Sequence, residues 1–150
     1  MAKATLKTQA TTKSVAAFLK TVDPDRRADC DAIAKMMSKA TGATPVMWGT
    51  AIVGFGKHHF KYASGREGDW FLVGFSPRKA NLVIYQHPDP SGKTAALLTE
   101  LGKHKGGVDS CLYVNKLADI DLGILEKLIK LGVSTLKKTA AEKNWPVSAT

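Results

Sequence analysis

A chain of 150 residues with 44% apolar and 23% charged residues has the size and composition of one globular domain. No apolar run approaches the roughly 18 residues of a membrane-spanning helix, and residues 1–14 lack the apolar centre of a secretory signal, so a cytoplasmic location is expected. The formal charge of +9 gathers at the ends, with +4 from residues 1–20 and +2 from residues 137–150; this suits solvated lysine-bearing tails better than a surface built for specific nucleic-acid recognition.

Residues 1–13, rich in Thr, Lys and Ala, read as a disordered tail ahead of a domain over 14–138. Ser14 is placed to cap a short helix that buries Val15, Phe18 and Leu19. Asp23-Pro24 opens a second helix, where Ile33, Met36, Met37 and Ala40 recur at helical spacing until Gly42 stops it. The pattern then changes to period two. Strands are predicted over 45–48 and 52–55, the latter continuing into 57–63 past a bulge that Gly54 and Gly56 permit. In that continuation His58, Phe60 and Tyr62 share one face, and Lys57, His59 and Lys61 the other. Further strands follow over 69–75 and 81–86, joined by short turns that imply antiparallel hairpins. A helix is predicted over 93–101, ended by Gly102, then a fifth strand over 111–114. A last helix runs to about residue 138, capped by Asp119 or Asp121, with Leu122, Leu125, Leu128, Ile129, Gly132 and Leu136 turned inward. Residues 139–150 read as a second disordered tail. The expected fold is a two-layer α+β domain: an antiparallel meander sheet of about five strands with helices packed on one face.

Several segments taken together carry a resemblance: Thr41-Gly42 with Pro45 and Met47-Trp48-Gly49; Ile52 to Gly56; Ser64 to Phe71; Gly74 to Lys79; and Leu101 to Lys105 with Ser110 to Tyr113. Over about residues 14–136 the chain resembles the YdhG-like family of bacterial domains of unknown function. The wider group is similar in shape to frataxin, and one branch is linked to intracellular iron delivery. The resemblance therefore implies a helix-flanked antiparallel sheet and, as an alternative function, iron or metal handling. Frataxin-type binding uses an acidic ridge, whereas here Arg26, Arg27 and Lys35 interrupt Asp25, Asp29 and Asp31.

Chemical groupings are sparse. His58 and His59 are adjacent on a strand and point to opposite faces, so they do not chelate one ion, and no metal site is expected. Cys30 and Cys111 are unclustered and read as ordinary part-buried thiols. Cys111, Ser76 and Ser110, with His104 nearby, are the candidate nucleophiles, but no spacing assembles a catalytic grouping, so no catalytic residue, cofactor or enzyme activity is assigned. The basic loops carry the leading reading. Arg78, Lys79, Lys103, His104, Lys105 and Lys116 supply charge, and Trp48, Tyr85 or Tyr113 supplies stacking surface, for a non-enzymatic module that binds a small anionic ligand or an acidic partner segment. Loose nucleic-acid binding through the basic tails is a second alternative.

Overall fold

The computed structural model describes residues 8–109 and 111–149. Its elements run α1 (Val15–Lys20), α2 (Pro24–Thr41), β1 (Pro45–Trp48), β2 (Ile52–Phe55), β3 (Lys57–Lys61), β4 (Glu67–Trp70), β5 (Val73–Pro77), β6 (Leu82–Tyr85), α3 (Lys93–Leu101), β7 (Lys105–Gly106), β8 (Cys111–Val114), a 3-10 turn (Leu117–Asp119), α4 (Leu122–Glu142) and β9 (Val147–Ser148). The fold is α+β, with all strand pairs antiparallel.

Local chemistry explains the helices. Ser14 Oγ accepts from Ala17 N at 3.1 Å, Asp23 caps α2 ahead of Pro24, and Asp121 Oδ1 accepts from Ile124 N at 3.1 Å. Gly42 ends α2 in the left-handed region at φ 71°. Helix α2 buries Cys30, Ile33 and Met37, and α4 buries a stripe from Leu125 to Ala140. Leu122, expected in that stripe, is the first residue of α4 and remains exposed; Val133 takes its share of the core.

The main sheet has six strands in the order β1-β2-β5-β6-β8-β7. Its inner face presents Val53, Phe55, Val73, Phe75, Leu82, Ile84, Leu112 and Val114 to the helices, forming one continuous core. A smaller sheet, β4-β3-β9, lies apart from it. The stretches 52–61 and 67–77, each with apolar residues on both faces, do not make two straight strands. They form one long ribbon that breaks at Gly56 on one side and at Phe71-Leu72 on the other. Gly56 sits at φ 71°, and a Cβ there would come within 2.6 Å of Leu72 Cδ1. The break turns β3 and β4 out of the main sheet, while Leu72 N still donates to Phe55 O at 3.0 Å.

Both chain ends depart from the expected tails. Gln9 to Thr11 run along β1: Thr11 N donates to Met47 O at 2.8 Å and Gly49 N to Gln9 O at 2.9 Å. They cover an edge strand that would otherwise leave its backbone unpaired. Residues 1–7 of the expected tail lie outside the described residues. At the other end α4 continues four residues past Lys138, and β9 pairs with β3 through Lys57↔Ser148 and His58↔Val147. Trp145, an aromatic residue with a place to bury, is what a solvated tail would lack.

On the outer face of the main sheet two glycines stand opposite each other, Gly54↔Gly74. The rings of Trp48 and Phe71 lie on them. A Cβ at Gly54 would fall 2.6 Å from Trp48 Cδ1 and 2.9 Å from Phe71 Cβ; one at Gly74 would fall 2.8 Å from Val53 O and 2.9 Å from Phe71 Cε1. Gly54→Ala and Gly74→Ala are therefore expected to destabilise the protein by about 1–3 kcal/mol. Gly74→Ala should cost more, because a backbone carbonyl yields less readily than a ring. Urea unfolding checks this, and unchanged midpoints for both would contradict the packing account.

Candidate ligand cavity

The bent ribbon, the end of α4 and the outer sheet face leave a space between them. The cavity measures about 610 Å3, within the range of small-molecule sites. Each wall has a clear origin. Strand β3 contributes His58, Phe60 and, just beyond its end, Tyr62, the face that alternation assigns to one side. Trp70, Phe71 and Leu72 come from the break between β4 and β5, Tyr85 to His87 from the end of β6, and Cys111 from the start of β8. Leu136, Thr139 and Lys143 come from the last turns of α4 and the residue after it, and Trp145 from the segment that follows.

Aromatic contacts tie the walls together. Trp145 stacks on His58 at 6.1 Å between ring centroids and meets the edge of Tyr62 at 5.9 Å. Phe60 stacks on Tyr62 at 4.9 Å, Trp70 on Phe71 at 4.4 Å, and Phe71 meets Tyr85 edge-on at 5.8 Å. Trp145 Nε1 donates to Lys61 O at 3.3 Å, and His59 N donates to Pro146 O at 2.9 Å. These bonds hold the C-terminal segment over the cavity.

The electrostatics are one-sided. Arg66 and Lys143 line the cavity at its exposed rim, and no carboxylate does. Neither cation has an ion-pair partner among the described residues; Lys143 Nζ lies 5.4 Å from the Trp145 ring centroid. Burial holds the His58 imidazole below its ordinary value of 6.5, and the neighbouring His87 adds to the shift. The Trp70 backbone, near the ring but short of hydrogen-bonding geometry at Nδ1, and the Asp69 carboxylate pull the other way. Burial also lowers His87. Both imidazoles are thus neutral at neutral pH, and the fixed positive charge on the cavity wall is that of Arg66 and Lys143. Gln86 donates from Nε2 to Gly107 O at 3.2 Å, while its Oε1 lacks a partner.

Of the residues singled out in the sequence, Tyr85 and Cys111 line the cavity, while the candidate cations and Trp48 lie outside its lining. Trp48 is 2% exposed, packed on Trp70 and Phe71 with its Nε1 unpartnered, so it supports the outer face rather than offering a stacking surface. The strand register puts Arg78, Lys79 and Lys116 at the end of the sheet where Leu82 opposes Val114, whereas the cavity opens where Tyr85 opposes Cys111. Arg26 joins the chain at the basic end, donating to Asn115 O at 2.9 Å and Lys79 O at 3.2 Å. Lys103 N donates to Asp119 O, and His104 Nδ1 lies 2.8 Å from Gly102 O, both beside the main sheet's far edge. Lys105 pairs with Tyr113, which is 36% exposed on the outer face. Arg78 reaches a cavity residue through Nη2 to the Tyr85 hydroxyl at 3.0 Å.

The cavity residues were partly visible in the sequence as the His58, Phe60 and Tyr62 face. Trp145 and Lys143 were hidden by their place in an apparent tail, and Arg66 by its place in a hairpin turn. Ser76 is buried and donates to Ala51 O at 2.7 Å, and Ser110 lies outside the described residues. Asp29, of the acidic set on α2, accepts from Leu117 N at 3.1 Å. Among the described residues no group of three or more His, Cys, Asp or Glu side chains is placed to hold a metal ion, and no helix is long and apolar enough to cross a membrane. Comparison with protein-family models, with curated proteins and with solved structures finds no match to this chain.

The lowered histidines make stability pH-dependent with a definite sign. The unfolded chain binds protons at the ordinary histidine value while the folded chain resists them, so stability is full above that value and falls as the pH drops below it. Urea midpoints should decline between about pH 7 and pH 5, and His58→Gln should flatten the decline. A decline equally steep in the variant would remove His58 from the account.

Proposed function

We propose that this chain is a non-enzymatic binding module whose cavity takes a small aromatic molecule carrying an anionic group. One observation carries the reading: a space of about 610 Å3, walled by five aromatic rings of Phe, Tyr and Trp type within the ribbon and sheet and by Trp145, has two unpaired cations at its rim and no carboxylate. Aromatic walls favour a flat apolar body, by area and by ring–ring geometry. Arg66 and Lys143 favour a negative head, and Arg66 has its whole donor fork free of ion pairs among the described residues. The two neutral imidazoles leave the interior without charge of its own, so an ionised group belongs at the rim, where solvent also stabilises it.

A reaction is not part of this reading. Cys111 supplies a thiol to the cavity lining, and the reading gives it no catalytic role. The acidic-partner form of the anionic-ligand reading suits the basic end of the sheet better than this enclosed space.

The test compares biphenyl-4-carboxylate with its neutral carboxamide by quenching of tryptophan fluorescence, since Trp70 and Trp145 both line the cavity. The carboxylate should bind more tightly, and Arg66→Gln should weaken it about fivefold, as befits an exposed charge contact, without weakening the amide. Thr139→Trp, which fills the space from α4, should weaken both. An amide that binds as well as the acid would overturn the anionic part, and full affinity in Thr139→Trp would overturn the cavity as the site.

A further inference from the structure

The outer sheet face continues past the cavity wall. Tyr85 belongs to that wall, and its hydroxyl accepts from Arg78. Strand pairing then sets a row of residues on the same face: Ser76 opposes Val83, Val83 opposes Tyr113, and Tyr113 opposes Lys105. Arg78, two residues beyond Ser76, falls on this face as well. Tyr85 and Cys111, outward on paired strands, belong to the cavity wall, and Arg78 meets that wall at the Tyr85 hydroxyl, while Ser76 and Val83 are themselves buried. None of the outward positions on β5, β6, β7 and β8 holds an acid: they are Gly74, Ser76, Val83, Tyr85, Lys105, Cys111 and Tyr113, with Arg78 beyond. Neither Arg78 nor Lys105 has an ion-pair partner among the described residues.

We infer that Arg78, held by the Tyr85 hydroxyl, forms a second anion subsite joined to the cavity, and that the ligand is an elongated aromatic dianion. One anionic group sits at Arg66 and Lys143, the aromatic body lies in the cavity against Tyr85, and the other anionic group reaches Arg78. This rests on the reading of the cavity as a ligand site. Arg78 reaches the cavity wall itself, its Nη2 lying 3.0 Å from the hydroxyl of Tyr85. With one Nη spent on that hydroxyl, the guanidinium keeps further donors for a carboxylate. Tyr85 thereby has two roles, as a wall of the apolar space and as the group that aims Arg78 at its end.

The experiment measures binding of biphenyl-4-carboxylate and biphenyl-4,4′-dicarboxylate to the full chain by calorimetry. The dicarboxylate should bind about tenfold more tightly, the effect of one added charge-assisted contact. Arg78→Gln, which keeps the aliphatic stem over the sheet, should bring the ratio of the two affinities close to one. Tyr85→Phe, which removes the hydroxyl that holds Arg78, should reduce the ratio in the same direction and serves if Arg78→Gln fails to fold. Equal affinities in the unsubstituted protein, or a ratio preserved in the variants, would overturn the second subsite while leaving the cavity reading intact. Failure of both probes to bind would overturn both.

Discussion

The arrangement depends on the opposed pair Gly54 and Gly74. Two adjacent strands that lack side chains at facing positions leave a shallow floor on an otherwise close-packed sheet. Trp48 and Phe71 fill it, with their rings 5.5 Å apart and edge-to-face. Phe71 is also the residue at which the ribbon breaks, so the floor fixes where β4 leaves the sheet and β5 begins. Trp70 follows onto Phe71, and β3 is carried with β4 by their ladder. A side chain at either glycine would lift Phe71, and the ribbon would lose the anchor that holds it off the outer face at a cavity's distance.

From that anchor the cavity follows as a consequence of geometry rather than of a dedicated loop. A ribbon bent away from a sheet exposes an apolar inner face, here His58, Phe60 and Tyr62, that needs cover. The end of α4 and Trp145 supply it from one side and the outer sheet face from the other. The cover is incomplete, and the remainder is the cavity. Its polar character comes from position too: the histidines are inside and kept neutral by desolvation, whereas Arg66 and Lys143 lie at the open rim where they stay charged.

Much of the fold was legible in the sequence because its signals are local. Caps at Ser14, Asp23 and Asp121, stops at Gly42 and Gly102, and period-two alternation from Pro45 onward delimit the helices and the main strands. What could not be read is non-local. Alternation assigned His58, Phe60 and Tyr62 to one face but not to a partner, since nothing near residue 60 refers to residue 145. Small and polar residues with Pro146 near the end made residues 139–150 look solvated, although Trp145 and Val147 have a strand to pack on only once β3 has left the main sheet. Composition grouped the basic loops, but the register puts Arg78, Lys79 and Lys116 at the opposite end of the sheet from the cavity. Arg78 escapes this because its long stem runs back along the face to Tyr85.

The two sides of the cavity differ in how firmly they are held. Its floor belongs to the six-stranded sheet, which is paired on both sides of β5 and β6 and packed from beneath by α2 and α4. Its cover rests on a two-residue ladder, the His59 N to Pro146 O bond at 2.9 Å, one indole bond at 3.3 Å and ring contacts with buried His58 and half-exposed Tyr62. Segments with few buried contacts and short ladders open at lower free energy than the sheet beneath them. Asn144, at φ 57° just after α4, gives this segment a sharp change of direction next to Trp145. The less firmly held wall carries both Trp145 and the neighbouring Lys143, so a ligand of the proposed kind that touched either would also hold that cover down.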